Sequence, residues 1–455
     1  MAQGMSSPRE VFRLSVPQLG LMLCHLAVSM TDVWVAGQID RNVLASLGLV
    51  SQAFALLMLV VSIVGSGCMA TVSQALGGGR TRRALRYGGL IVGISFLTGC
   101  LVAALALAAL PAALGLGLVP GNVAPVLLVF GTAYAAQLPF YYSMIMLNSV
   151  FRAHKLVWLP FATLVLVALI NFVGSAGFGL GRWGLPAWGY PAVAWATFFS
   201  ALAGFVCNVA IGTRRGILCR AAFATWRWNR VAAPRIWRIG APAALGNLAA
   251  QTGGMALLAC VTGLPRDAVA AVAGMTLGMR IMGFVLFPLG ALGMTITILS
   301  GHLLGGGRQD AASGLGARYA IGTACCMTAV ALAVGALREP VVLLFTRDAA
   351  AGAQAANFLF FSCLALPAQA AVQVLSAALA GAGATRFTCR IGCVSTWGVS
   401  VPTACLLAYG LDLGASGVYA GMTLGNVCAA LWTIHVFRGK QWLGSAPMKT
   451  PSAKS

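Results

Sequence analysis

Gln74-Ala75-Leu76-Gly77-Gly78-Gly79-Arg80 is matched 228 residues later by His302-Leu303-Leu304-Gly305-Gly306-Gly307-Arg308. Pro139 and Pro367 have the same separation, and Pro17 and Pro242 are separated by three residues fewer. The chain has 455 residues, so the repeat is half its length. A solenoid would repeat every 20–50 residues or so. A half-chain repeat in an apolar sequence predicts instead a transporter-like membrane protein built from two related lobes.

The composition requires a membrane protein, because the chain is 60% hydrophobic and only 8% charged. A soluble domain carries about 25% charged residues. A spanning helix needs roughly 20 mostly apolar residues, and twelve stretches meet this requirement, six in each half. They are Val11–Gly37, Leu44–Leu76, Tyr87–Leu118, Ala124–Phe151, Leu156–Gly181, Ala187–Gly212, Ile236–Gly263, Ala268–Leu304, Leu315–Leu337, Gly352–Leu379, Phe387–Gly410 and Ala415–Phe437. These stretches are too long and continuous for the alternating strands of a β-barrel.

The net charge of +21 is explained by membrane topology. With the N-terminus inside, 23 of the 29 basic residues fall in inner segments or at the inner ends of spans, and Arg280 alone lies deep within a span. The five outer ones are Arg41, Arg182, Arg266, Arg338 and Arg347. This asymmetry predicts a multi-pass membrane protein with both termini cytoplasmic, and we expect it in the plasma (inner) membrane. It argues against a nucleic-acid partner and favours contact with anionic membrane lipid. The first apolar stretch is too long for a cleaved signal peptide.

The predicted fold is therefore all-α and integral to the membrane, with twelve transmembrane helices in two tandem six-helix lobes. We place the N-lobe at 1–212, a basic cytoplasmic connector at 213–237, the C-lobe at 238–437 and a cytoplasmic tail at 438–455. Both lobes begin inside, so a pseudo-two-fold axis along the membrane normal should relate them. The connector contains tryptophans, which favour the headgroup level. We expect a monomer.

Asp32 is the one acid of eight that lies within a predicted span. A charged residue there costs about 2.5–3.5 kcal/mol on insertion scales, so a functional role is the default hypothesis. The alternative is a structural, hydrogen-bonded acid at the outer end of its helix. His25 precedes Asp32 by two helical turns, about 10.5 Å, so both could line one cavity, although a lone histidine is also often structural.

Other polar side chains in the spans are candidates to line a cavity. Arg280 either snorkels to the membrane surface or faces a wet cavity. Uncharged candidates are Gln52, Gln251 and Gln373, although some amides simply join helices. The thirteen cysteines show no metal-ligand spacing and are expected to be apolar fillers. We find no nucleotide loop and no nucleophile–base–acid set, so no enzyme, catalytic residue, resident metal or cofactor is predicted.

The order of these features resembles the multidrug and toxic compound extrusion (MATE) family. The first copy reads Thr31-Asp32-Val33-Trp34-Val35-Ala36-Gly37, then Leu44-Ala45-Ser46-Leu47-Gly48, then the glycine-rich run ending at Arg80. The second copy extends from Pro242 through Arg280 and Pro288 to Arg308. The resemblance implies an antiporter that exports organic, often cationic or lipophilic small molecules in exchange for protons or sodium ions. It implies alternating access between two lobes.

The resemblance also implies the coupling site. Asp32 matches the family's N-lobe acid, while Asn171 and Thr197 match its polar partners in the fifth and sixth spans. Together they would bind the coupling ion, which is a proton or a sodium ion at Asp32. Many relatives carry a second acid one turn after the asparagine, where this chain has Ser175. Acids found in the seventh and tenth spans of some relatives are absent, since these stretches read Ala250-Gln251 and Ala370-Ala371-Val372-Gln373.

Two other functions remain open. A lipid-linked precursor flippase of the related superfamily would keep the fold and change the cargo, but such relatives tend to have a basic central cavity and extra spans. A passive channel or a membrane enzyme is a different class. An enzyme should show clustered His, Glu or Asp at an interface, which this sequence lacks. A channel would conduct without a gradient of a coupling ion.

Overall fold

The computed structural model describes residues 7–115, 121, 123–223, 226–265 and 267–445. Arg266, Lys449, Lys454 and the end of the predicted tail lie outside the described residues. The α-helices are α1 Pro8–Ile39, α2 Arg41–Gly77, α3 Thr81–Gly115, α4 Ala124–Ala136, α5 Leu138–Ala153, α6 Trp158–Phe172, α7 Tyr190–Arg214, α8 Trp226–Thr262, α9 Ala268–Gly305, α10 Gln309–Ala336, α11 Arg338–Leu343, α12 Ala349–Gly381, α13 Thr385–Cys393, α14 Val401–Cys405 and α15 Gly414–Arg438. Shorter 3₁₀ turns cover Arg182–Gly184, Arg220–Ala222 and Gln441–Ser445. Three π-helical segments, Val173–Phe178, Val394–Ser400 and Leu406–Gly410, complete the list. The described residues contain no strand.

The predicted number of spans is confirmed within the described residues. Eleven helical segments are long and apolar enough to cross a membrane, and the pair α4 and α5 forms a twelfth, bent by 44°. Helices suit this setting because every backbone polar group inside lipid must be satisfied within the segment. The chain is therefore a multi-pass membrane protein.

The chain divides into two compact units. Val16–Gly240 forms the first, and the second consists of the residues before Val16 and those from Ala241 onward. These limits differ from the predicted connector at 213–237, because α8 begins at Trp226 and continues without interruption to Thr262. The unit boundary thus falls inside a helix.

Glycines explain why the predicted connector belongs to the first unit. A Cβ on Gly67 would lie 2.6 Å from the Ile236 side chain, and a Cβ on Gly89 would lie 2.4 Å from the Ala222 carbonyl oxygen. At Gly240 the nearest atom would be the carbonyl oxygen of Ile63, at 1.7 Å. Small residues let helix backbones approach closely in membrane proteins. The connector is consequently held against α2 and α3.

The sequence repeat is reproduced as a repeated helix ending. After α2, the Gly79 amide donates to the Leu76 carbonyl; after α9, the Gly307 amide donates to the Leu304 carbonyl. The two glycines have φ values of +70° and +76°. This left-handed conformation after a helix favours glycine, which has no Cβ to clash. Conformation therefore explains why these glycines recur in both copies.

Proline has an uneven effect on the spans. Pro139 follows the break between α4 and α5, where the 44° bend occurs. A Cβ on Gly99 of α3 would lie 2.6 Å from the Pro139 Cα, so the break packs closely against α3. Pro17, Pro288 and Pro367 lie inside uninterrupted helices.

Candidate functional site

Asp32 is 4% exposed and lies in the last two turns of α1. Its Oδ1 accepts hydrogen bonds from Asn171 Nδ2 and from Ser175 Oγ, both at 3.2 Å. Its Oδ2 accepts from Thr197 Oγ1 at 3.3 Å. The three residues predicted to form the ion site are therefore brought together, and all of them lie in the first unit.

The local backbone aims two of these donors at one carboxylate oxygen. Asn171 is in the last turn of α6, and Ser175 follows it in the π-helical segment Val173–Phe178. Such single-turn π segments inside helices are frequent at functional sites, because the wider turn changes where side chains point. Thr197 comes from the neighbouring helix α7.

The hydrogen-bond inventory leaves one acceptor unused. Thr197 Oγ1 has a single hydrogen, for which Asp32 Oδ2 and the Val193 carbonyl at 3.2 Å compete. It also accepts from Asn171 Nδ2 at 3.4 Å. Asn171 Oδ1 is buried and has no hydrogen-bond partner among the described residues. The site thus contains a carboxylate with several donors and one amide oxygen that is free to accept.

Tyr134 completes the set of groups around the acid. Its hydroxyl lies near the Asp32 and Thr197 side chains. Tyr134 could not be predicted from the sequence, because nothing near it along the chain indicates that α4 lies against α1 and α7. Ser175 stands out in the sequence only as a departure from the family pattern. The spacing of four residues after Asn171 was the one available signal, since residues i and i+4 share a helix face.

The carboxyl of Asp32 has no cationic partner in the described part of the chain. The groups that act on it are the uncharged side chains of Asn171, Ser175, Thr197 and Tyr134. A buried charge is normally paired or neutralised, because removal from water is costly. Neutral dipoles offset only part of that cost. This carboxyl is consequently suited to take up a cation or a proton.

The predicted cavity-lining residues occupy different positions. His25 is half-buried on α1, and its charged neighbour is Arg152. Gln52 is exposed on α2, and neither side chain hydrogen-bonds Asp32 within the described residues. The other three, in the second unit, are all exposed. They are Gln251 on α8, Arg280 on α9 and Gln373 on α12.

The metal-ligating residue types do not cluster elsewhere. Among the described residues, no group of three or more His, Cys, Asp and Glu side chains is placed to hold a metal ion. The closest thiol pair is Cys260 and Cys405, whose Sγ atoms are 3.2 Å apart. The oxygen-rich group around Asp32 is therefore the described site best suited to a small cation.

Comparison with known proteins gives matches in both halves. The sequence model of the MatE family matches residues 17–176 and again 242–406. A probable multidrug resistance protein NorM of Pseudomonas aeruginosa is 29% identical, over 96% of this chain and 91% of the relative. Another of the same name, from Bradyrhizobium diazoefficiens, is 27% identical over 94% and 92%. The crystal structure of the Vibrio cholerae MATE transporter VcmN in its bent form superimposes with a TM-score of 0.87 at 20% identity, covering 96% of this chain and 97% of that one.

Proposed function

We propose that this chain, which belongs to the MatE family, is a secondary antiporter. It would export organic, cationic or lipophilic compounds in exchange for protons or sodium ions. Two similar proteins are named multidrug resistance proteins, which supports the choice of cargo. The observation that carries the coupling part is the buried, unpaired carboxyl of Asp32, surrounded by neutral donors. The protein would lie in the inner membrane, with both termini in the cytoplasm.

The coupling ion would act by changing the charge of Asp32. Without the ion, the side chains of Asn171, Ser175 and Thr197 all donate to the ionised carboxylate. Loading would remove or compensate the charge, so at least one of these bonds would be exchanged. Because the donors come from α6, the π-helical segment and α7, loading would change the packing of α1 against the fifth and sixth spans.

The proton fits this group better than sodium. A protonated Asp32 needs one new acceptor, which Asn171 Oδ1 can supply. A hard cation is held by several oxygen ligands at once, so the hydroxyls of Ser175 and Thr197 would have to turn their hydrogens away from Asp32. We therefore propose proton coupling first and keep sodium as the alternative that the experiment below would detect.

Exchange requires that ion and cargo oppose one another. If loading of Asp32 weakens binding of the organic compound, the compound must weaken binding of the ion by the same factor. A proton entering from outside would then release the cargo outward, and a second cargo molecule from the cytoplasm would release the proton inward. Alternate opening to the two sides of the membrane completes this cycle.

The experiment that tests this proposal is transport in proteoliposomes. A fluorescent lipophilic cation is the cargo, and a proton gradient or a sodium gradient is imposed separately. We expect uptake driven by the proton gradient, and its loss in Asp32→Asn. The matched control is Asp310→Asn, because Asp310 is 94% exposed and pairs with Lys440 at 3.1 Å. That variant should transport normally.

Each result has a defined meaning. Full transport by Asp32→Asn at normal expression would refute the assigned site, and transport driven by sodium alone would replace the proton by sodium. Absence of transport under both gradients would refute export of this cargo. Lipid-linked intermediates accumulating in a deletion strain would then support the flippase alternative.

A further inference from the structure

A cavity of about 950 Å³ lies within the first unit, bounded by α2, α3 and the start of α8. Its walls are mostly aliphatic, with Val60 and Val64 from α2 and Leu90 and Ile94 from α3. The volume is near the upper end of the roughly 300–1,000 Å³ typical of ligand pockets. None of these residues belongs to the site around Asp32.

The α8 wall of the cavity carries polar side chains. Asn229, Arg230 and Arg238 of α8 contribute to its lining. Neither arginine forms an ion pair with an acid of the described residues, and Asn229 Oδ1 is buried there without a hydrogen-bond partner. The α8 wall thus presents two positive charges and one unused acceptor. A matching ligand would carry an anionic group and a hydrogen-bond donor beside it.

The rim indicates contact with lipid. Leu97 of α3 and Trp237 of α8, both lining residues, are 69% and 61% exposed. Large apolar side chains that are exposed on a membrane protein face hydrocarbon, and tryptophan favours the headgroup level. Both arginines lie in the N-terminal third or so of α8, which the charge distribution of the sequence assigns to the cytoplasmic side. Basic pockets between transmembrane helices on that side recognise anionic headgroups.

We propose that this cavity binds one anionic glycerophospholipid of the cytoplasmic leaflet, of the phosphatidylglycerol type. An acyl chain lies along Leu90 and Ile94. The phosphate lies between Arg230 and Arg238, and a headgroup hydroxyl donates to Asn229 Oδ1. Such a lipid fills the space between α2, α3 and α8. This inference does not depend on the identity of the exported cargo.

The test is native mass spectrometry of the purified, delipidated full chain. The protein is titrated with phosphatidylglycerol or with phosphatidylcholine of the same acyl chains. We expect one phosphatidylglycerol to bind more tightly than phosphatidylcholine. In Arg230→Gln/Arg238→Gln this preference should fall by about 10- to 30-fold, from roughly 1 kcal/mol for each basic residue near an anionic lipid. The control Arg214→Gln/Arg215→Gln removes the same charge from exposed positions outside the cavity and should retain the preference.

A second variant tests the apolar part independently. Gly93 lines the cavity, and a Cβ placed on it meets nothing within 4 Å, so Gly93→Leu should fill the space without disturbing the fold. Binding of phosphatidylglycerol should be lost in Gly93→Leu and kept in Gly322→Leu, a control at an equally open glycine of α10. Equal binding of the two lipids by the wild type would overturn the proposal. So would unchanged binding in both Gly93→Leu and the double arginine variant.

Discussion

Replacing Ser175 by alanine tests the chemistry of the site without removing the acid. The substitution deletes one of two donors to Asp32 Oδ1 and leaves the bond from Asn171 to the same oxygen and the bond from Thr197 to the other. Ser175 is fully buried, so water cannot easily take the place of the hydroxyl. The fold should tolerate the loss of one oxygen atom.

The size of the effect follows from the geometry. A hydrogen bond to a charged group contributes about 1.5–3 kcal/mol. The Ser175 bond to Asp32 is 3.2 Å long, whereas O–H···O bonds cluster near 2.7–2.8 Å or so, and we therefore take the lower value. The ionised state of the site loses about 1.5 kcal/mol relative to the protonated state, which is roughly a tenfold change in binding. Half-maximal transport should be reached at about tenfold lower proton concentration.

The assay is the dependence of cation uptake on proton concentration in proteoliposomes at a fixed membrane potential. The matched control is Ser200→Ala, because Ser200 is equally buried but donates to the Thr197 carbonyl at 2.9 Å instead of to Asp32. It should leave the proton dependence unchanged. If sodium were the ion, Ser175 Oγ would be a ligand, and its loss would weaken sodium binding. An unchanged proton dependence, or a shift to higher proton concentration, would refute the reasoning.

Two further predictions concern stability. Gly240→Ala places a Cβ 1.7 Å from the Ile63 carbonyl oxygen. Overpacking of this kind costs about 2 kcal/mol. Because each kcal/mol lowers the melting temperature by about 2–4 °C, the apparent melting temperature should fall by about 4–8 °C. Gly93→Ala, in open space, should leave it nearly unchanged, and equal values for both variants would contradict the described packing of α8 on α2. Burial lowers the pKa of His154, against a hydrogen bond to the Val150 carbonyl that raises it. Histidine in the unfolded chain takes up a proton at about pH 6.5, whereas folded His154 does so only at lower pH. The free energy of unfolding should therefore decrease as the pH falls below about 6.5. Between about pH 7.5 and about 5.5, the melting temperature should fall less in His154→Gln than in the wild type, and an equal fall would exclude the effect.

The spans and the core of the site could be predicted because both depend on strong local signals. A run of about 20 apolar residues is sufficient to indicate a membrane helix. Asp32 could be identified because a carboxyl within such a run is costly. Asn171 and Thr197 came from the family pattern, and the structure places both within hydrogen-bonding distance of Asp32.

The remaining features depend on packing between distant segments. The contact of Tyr134 with Asp32 requires α4 to lie against α1, which no residue near Tyr134 encodes. The unit boundary after Gly240 also depends on packing, because it falls inside the uninterrupted helix α8. The close packing of Gly240 depends on its lack of a Cβ opposite the Ile63 carbonyl, and Ile63 lies 177 positions earlier (240 − 63).

Duplication of the scaffold has not duplicated the acid. The two family matches begin at Pro17 and Pro242, 225 residues apart (242 − 17), and at that separation Asp32 is matched by Leu257, which is buried and apolar. All acids from Ala241 onward lie at helix ends or in loops, namely Asp267, Asp310, Glu339, Asp348 and Asp412. Helix endings recur because backbone conformation demands glycine in both copies, whereas a second buried carboxyl would add its own desolvation cost. We therefore expect one coupling-ion site per chain, in the first unit, and a second copy that contributes helices without an acid of its own.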